Sequence, residues 1–124
     1  MAAISGVVGR LLQEAVDKIR MFPIAMTEDG QGVRHGDVVV IPYNSGNFGS
    51  SRKPHFHTRL AVVTVELIDN EIVFRLKSRW HKDHWLLSKT HLLTRVGTLD
   101  EDPTLLEKDP PFTWKQYLDK KYPS

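Results

Sequence analysis

The chain has 124 residues, with 17 Lys and Arg against 15 Asp and Glu, six His, no Cys and a formal net charge of +2. Without cysteine there is no disulfide, no thiolate metal site and no Cys nucleophile, and no apolar run approaches the ~18 residues that span a bilayer. The length suits one domain, residues 1–124, able to bury a core without staples.

The charge is segregated. Residues 34–95 carry ten basic and five acidic groups and all six histidines, a net +5, whereas residues 1–33 carry −1 and residues 96–124 carry −2. A basic middle between acidic flanks points to an anionic partner such as nucleic acid, or to a solvated surface of Lys and Arg. The start of the chain lacks the basic region and unbroken apolar core of a signal peptide. Together with the missing cysteines, this predicts a cytoplasmic location and no membrane partner.

Residues 1–22 are predicted as an amphipathic helix. Ile4, Val7, Val8, Leu11, Leu12, Ala15, Ile19 and Phe22 recur at three- and four-residue spacing. Ser5 is the expected cap and Pro23 the expected stop. The apolar stripe packs on the body of the protein or against a partner helix. A turn cluster, Glu28-Asp29-Gly30-Gln31-Gly32, follows a short apolar piece.

Asp37 to Tyr43, DVVVIPY, reads as a strand buried on both faces, with an edge or strand end at Pro42. Residues 44–58 read as a long loop. Its Asn and Gly residues permit positive φ, and Ser50, Ser51, Arg52 and Lys53 supply hydroxyls and charge. Such a loop holds a phosphate through backbone N–H groups and cations, or is a bare hairpin tip. Phe48 and Phe56 beside those cations favour base stacking.

Residues 59–67, RLAVVTVEL, form the second predicted strand, Asp69-Asn70 a tight turn and residues 71–78 a third strand. Alternation puts Ile72, Phe74 and Leu76 on one face of that third strand and Val73, Arg75 and Lys77 on the other. Two tryptophans, Trp80 and Trp85, bracket His81, Lys82, Asp83 and His84. Residues 86–99 give further β-prone pieces, with strand at Thr94–Val96 broken by Gly97. In the tail, Asp102-Pro103 opens a helix over Thr104–Lys108, and Thr113-x-x-Gln116 is a capping box for a last helix with Trp114, Tyr117 and Leu118.

The candidate nucleic-acid-binding residues are Arg52, Lys53, His55, His57, Arg75, Arg79 and Trp80. His55-x-His57 and His81-x-x-His84 have metal-ligand spacing. Asp83 is the only carboxylate near them in sequence, so they read as surface groups that meet phosphates when protonated. No metal and no cofactor are expected. RNA cleavage asks only for a base, an acid and a cation, because the 2′-hydroxyl is the nucleophile. The His residues, or Asp37, are available for proton transfer.

Three passages resemble the PemK/MazF family of toxin endoribonucleases. His35-Gly36-Asp37-Val38-Val39-Val40-Ile41-Pro42-Tyr43 looks like the family's opening strand. Thr58-Arg59-Leu60-Ala61-Val62-Val63 is similar to its Arg-Pro-Ala-Val-Val strand, and Leu93 to Glu101 is similar to its closing passage into a helix. The resemblance spans roughly residues 35–107. It implies an SH3-like barrel with a C-terminal helix; with the N-terminal helix, which lies outside the resemblance, the expected fold is α+β, a small SH3-like β-barrel over residues 35–99 with an N-terminal helix and short C-terminal helices over 102–121. It further implies a homodimer, metal-free cleavage of single-stranded RNA and an antitoxin partner. The catalytic arginine maps to Arg59. The catalytic threonine position is Lys77, followed by Ser78, and Leu60 stands where the family has proline. A non-enzymatic phage- or plasmid-type accessory protein that binds a protein partner is the alternative reading.

Overall fold

The computed structural model describes residues 2–44, 55–79 and 85–123. Its elements are helix α1 (Ala2–Ile19), strands β1 (Ala25–Met26), β2 (Gly32–Val33), β3 (Asp37–Asn44), β4 (Phe56–Ile68), β5 (Glu71–Ser78) and β6 (Trp85–Leu86), a 3-10 turn at Leu87–Lys89, β7 (Thr94–Thr98), a second 3-10 turn at Leu105–Glu107, and α2 (Trp114–Lys121). The fold is α+β. Strands β1 and β2 make a small ribbon, and the other five make an antiparallel sheet in the order β6-β5-β4-β3-β7.

That sheet is open rather than closed into the expected barrel. Closure needs the two edge strands to pair, but β6 is two residues long and bonds only to β5, while β7 bonds to β3. Among the described residues no helix is long and apolar enough to cross a membrane.

The sheet is apolar on both faces, as the unbroken run in β3 demands. Val39, Ile41, Ala61, Val63 and Leu76 form one cluster with Val33, Leu87 and Leu92 from the covering segments. Val38, Val40, Leu60 and Val62 form the other with Leu93, under Leu105, Leu106, Phe112, Trp114 and Tyr117 of the tail. Each large side chain so buried contributes roughly 1.5–3 kcal/mol. Pro42 sits where β3 has outrun β7, whose ladder stops at Val40. The missing N–H therefore leaves no gap in a ladder.

The tight turns follow the sequence closely. Asp69 and Asn70 have φ of 49° and 63°, the two positive angles of a type I′ hairpin turn. Gly36 precedes β3 at φ 90°, a conformation that favours glycine. The Asp37 carboxylate is buried, accepts the Arg34 N–H at 2.8 Å and pairs with Arg95 Nε of β7 at 3.1 Å. The Gly-Asp pair is thus a structural corner that ties β3 to β7. The tail closes the molecule through the Thr113–Gln116 capping box of α2. Tyr117 donates to Glu28, and that bond, with Lys121 alongside, holds the Glu28 carboxyl below its ordinary range.

Several expectations are corrected. Ser5 lies inside α1, not at its start, and α1 ends at Ile19, three residues before Phe22. Among the described side chains of the helix, Val16 is fully buried, while Val7, Val8 and Leu11 are 53%, 43% and 60% exposed. Strand β4 begins at Phe56, so Phe56 to Thr58 are strand rather than loop, and β7 runs through Gly97 to Thr98. The stretch after Pro103 makes only a 3-10 turn. There the Asp102 side chain accepts from the Thr104 N–H and Lys108 ties back to it, while Pro110 and Pro111 follow too soon for a longer helix.

Strand β4 pairs with β3 only from Phe56 to Val62. Past that point its bare edge is met by other groups. The Gly36 N–H donates to Val63 O at 2.8 Å, and the Val65 N–H donates to His35 Nδ1 at 2.9 Å. Arg20, at the end of α1, donates from Nε and Nη2 to Val65 O at 3.0 and 2.8 Å. An imidazole that accepts at Nδ1 is neutral, with its proton on Nε2. Burial first, and then the Arg20 and Lys77 charges, hold the His35 pKa below 6.5, against a weaker upward pull from Glu66 and Asp100. Below pH 6.5 the unfolded chain therefore takes up a proton at this site more readily than the folded one. The stability from this site is full above pH 6.5 and falls as pH drops below it. We expect the thermal midpoint to decline between about pH 7 and pH 5, and His35→Gln, which keeps an acceptor but does not titrate, to flatten that decline. An unchanged slope in the variant excludes His35 as the source.

Candidate functional site

In an antiparallel ladder, residues opposite each other present their side chains to the same face. Arg59 lies opposite Ile41, His57 opposite Tyr43 and Ser78 opposite Ala61, while Trp85 lies opposite Leu76. The register thus carries Arg59, His57, Tyr43, Ser78 and Trp85 to one face, where the Ile41–Ala61–Leu76 core gives way to polar groups. The Arg59 guanidinium carbon stands 4.2 Å from the centre of the Tyr43 ring, and the Trp85 ring meets Tyr43 edge-on at 6.0 Å. The arginine is held by a cation–π contact on an aromatic wall.

Two atoms in this region are buried with no hydrogen-bond partner, Arg59 Nη1 and Ser78 Oγ. Leaving a buried donor unpaired costs about 1–3 kcal/mol, and more when it is charged. That both lie on one face of neighbouring strands, one residue pair apart in the ladder, marks the spot where the fold is least satisfied by its own atoms.

Arg59 also lines a cleft of about 580 Å³ at the end of the sheet, beyond the last residue of β5, with His57, Arg79, Glu107, Lys108 and Asp109 among its other walls. Arg79 donates from Nη1 to Glu107 O at 3.1 Å, which joins the end of β5 to the tail. Lys108 is tied to Asp102. The cleft carries three cations against two carboxylates. A neighbouring cleft of about 660 Å³ shares His57, Thr58, Asp109 and Pro110 with it and is walled by His55, Phe56 and Trp114.

The other candidates divide. Ser78 joins Arg59, but Lys77 points to the opposite face and pairs with Glu66. Arg75, opposite Thr64, lies on the Lys77 face. The His55 and His57 rings come together, with centroids 4.5 Å apart. Arg79 reaches the cleft. Arg52, Lys53 and Trp80, with Phe48, Ser50, Ser51, His81 and His84, lie outside the described residues. Among the described residues no group of three or more His, Asp or Glu gathers as a metal site. His35 is engaged with Val65, and His91 lies 3.9 Å from Glu28. Asp37, named above for proton transfer, faces Arg95 and Arg34. Sequence reasoning did not link Tyr43 to Arg59. The link was in the alternation, since Tyr43 is two residues beyond Ile41, but only the β3–β4 register reveals it.

Comparison of the chain with protein-family models, with curated proteins and with solved structures finds no match.

Ser78→Ala removes an unpaired buried hydroxyl and leaves a methyl that fits the same space. The variant is expected to be as stable as the parent or more so, by up to about 1–3 kcal/mol, read from the urea midpoint. A loss of stability means that Ser78 Oγ is bonded in solution.

Proposed function

We propose that the chain is an RNA-directed protein whose open sheet is related to the SH3-like barrel, and that the Arg59 face receives a backbone phosphate. The observation that carries this reading is the buried Arg59 Nη1, without a hydrogen-bond partner among the described residues, on a guanidinium held over the Tyr43 ring, with the likewise unpartnered Ser78 Oγ on the same face of the next strand. A phosphate would give the guanidinium a hydrogen-bond acceptor, and charge-assisted bonds from a guanidinium to phosphate are among the strong ones. The net +5 of residues 34–95 agrees with a polyanionic ligand. The return of β7 to pair with β3 supports the barrel kinship, because it brings the last long strand back beside the first.

The reaction that suits this site is metal-independent cleavage of the PemK/MazF type. The 2′-hydroxyl oxygen attacks the adjacent phosphorus and gives up its proton to a base. The bond to the 5′-oxygen then breaks as that oxygen takes a proton from an acid. Arg59 would stabilise the charge that builds on the non-bridging oxygens, and Ser78 would donate to one of them. His57, on the same face and two residues along β4, is the group placed to transfer the proton. Lys77 takes no part from the opposite face.

The second reading, a module that binds a protein partner, is favoured by the exposed Val7, Val8 and Leu11 of α1. Labelled single-stranded RNA, incubated with the protein in EDTA at low and moderate salt, separates the two. On the RNA reading the wild type shifts or cuts the RNA, and Arg59→Ala weakens binding about tenfold or more, the cost of a lost charged hydrogen bond. Arg59→Lys does not restore it, since an ammonium lacks the planar fork and the ring contact. RNA handling indifferent to Arg59 removes this mechanism, and no shift or fragment at any salt leaves the protein-partner reading.

A further inference from the structure

The two clefts at the end of the sheet share four wall residues, so they form one continuous groove along the first residues of β4 and the tail that leads into α2. Its two ends differ in chemistry. One end holds the cations Arg59 and Arg79. The other is aromatic: the Phe56 ring lies 5.3 Å from Trp114 at a 32° tilt, and Trp114 lies 5.1 Å from Tyr117. Packing of α2 on the sheet explains Trp114, Tyr117 and Phe112, which belong to the core cluster on that face. It does not explain Phe56, whose side chain is left 42% exposed at the outer end of this aromatic series. Lys115 and His55 stand in the same cleft.

We propose that Phe56, backed by Trp114, is a stacking platform for one unpaired nucleobase of a single-stranded RNA whose phosphate occupies the Arg59 end of the groove. This rests on the RNA reading of Arg59 and adds to it a subsite for one base. Phe56 and Arg59 are three residues apart on β4, about 10 Å, and leave the strand on opposite faces, so the bound chain passes over the edge of β4 that β5 does not pair with before Ala61, a path that a few nucleotides cover. A base inside a duplex is already stacked on both sides and cannot offer its face to a ring. The platform therefore selects unpaired RNA without reading its sequence, because every base has a π-face. Trp114 fixes the Phe56 ring before the ligand arrives, so little side-chain freedom is lost on binding.

The test compares three ligands by fluorescence anisotropy: a labelled single-stranded oligoribonucleotide, the same length of abasic ribose-phosphate chain, and a duplex. The proteins are wild type, Phe56→Leu, Phe56→Tyr and Arg59→Ala. Leucine keeps an apolar cover over Trp114 and removes only the ring. Expected are a 5- to 100-fold weaker affinity of Phe56→Leu for the base-bearing single strand, recovery in Phe56→Tyr, and equal affinity of Phe56→Leu and wild type for the abasic chain. The salt slope of Phe56→Leu is expected to match wild type, since no phosphate contact is lost. Phe56→Leu binding the base-bearing strand as tightly as wild type, while Arg59→Ala is weakened, overturns the platform and leaves the phosphate site standing. No binding of any ligand by the wild type overturns both.

Discussion

Strand β4 is 13 residues long, and neither neighbour matches it. Strand β3 covers its first half, Phe56 to Val62, and β5 covers Ala61 to Ile68. The two partners are staggered, so each end of β4 has one open edge. An open edge is a row of backbone donors and acceptors that must be bonded, covered or left to solvent. Much of the remaining architecture answers that stagger. At the far end, Gly36, His35 and Arg20 replace the missing strand with a backbone amide, an imidazole and a guanidinium. The Arg20 bonds, with the buried Val16, hold α1 against the sheet although Val7, Val8 and Leu11 are exposed. At the near end the edge is partly closed by the tail and by Arg79, and what remains is the groove.

The same stagger separates the His35 end of β4 from the end that carries the candidate site. Around His35 the strong polar groups have partners supplied by the fold. At the other end, among the described residues, two buried atoms, Arg59 Nη1 and Ser78 Oγ, have none. Unsatisfied donors lower stability, and a fold keeps them where something outside the fold can use them. The aromatic rings there have a plain mechanical role as well, since Tyr43 holds the guanidinium by its face and leaves its edge to donate.

Parity along a strand decides which of two adjacent residues takes part. Lys77 and Ser78 are neighbours in the chain, yet their side chains leave the sheet in opposite directions. The ladder puts Ser78 across from Ala61, beside Arg59, and Lys77 across from Val62, where it meets Glu66. A charged residue on the wrong face is a surface ion pair, whatever its position in a motif. Asp37 makes a related point: a carboxylate next to a glycine has the look of a catalytic group, and here it is a corner brace between β3 and β7.

Local chemistry made much of the fold legible from the residues alone. The β-branched runs of β3 and β4, the strand limits of β5, the Asp69-Asn70 turn and the Thr113–Gln116 capping box are decided by side chains a few positions apart. Ends governed by remote groups were not legible. The start of β4 at Phe56 depends on pairing with Asn44, and continuation of β7 through Gly97 depends on β3. The apolar period of α1 states that a face exists but not how much of the sheet lies beneath it. Closure of the sheet was likewise a tertiary matter, since it turns on how far the two edge strands reach. For the candidate site, the sequence by itself determined the residue types: an arginine on a core strand, a serine at the end of another, histidines at alternate positions, aromatics nearby. Only the tertiary structure decided which of them meet. Register across a sheet is set by long-range pairing, and a shift of one residue would have sent Arg59 to one face and Ser78 to the other.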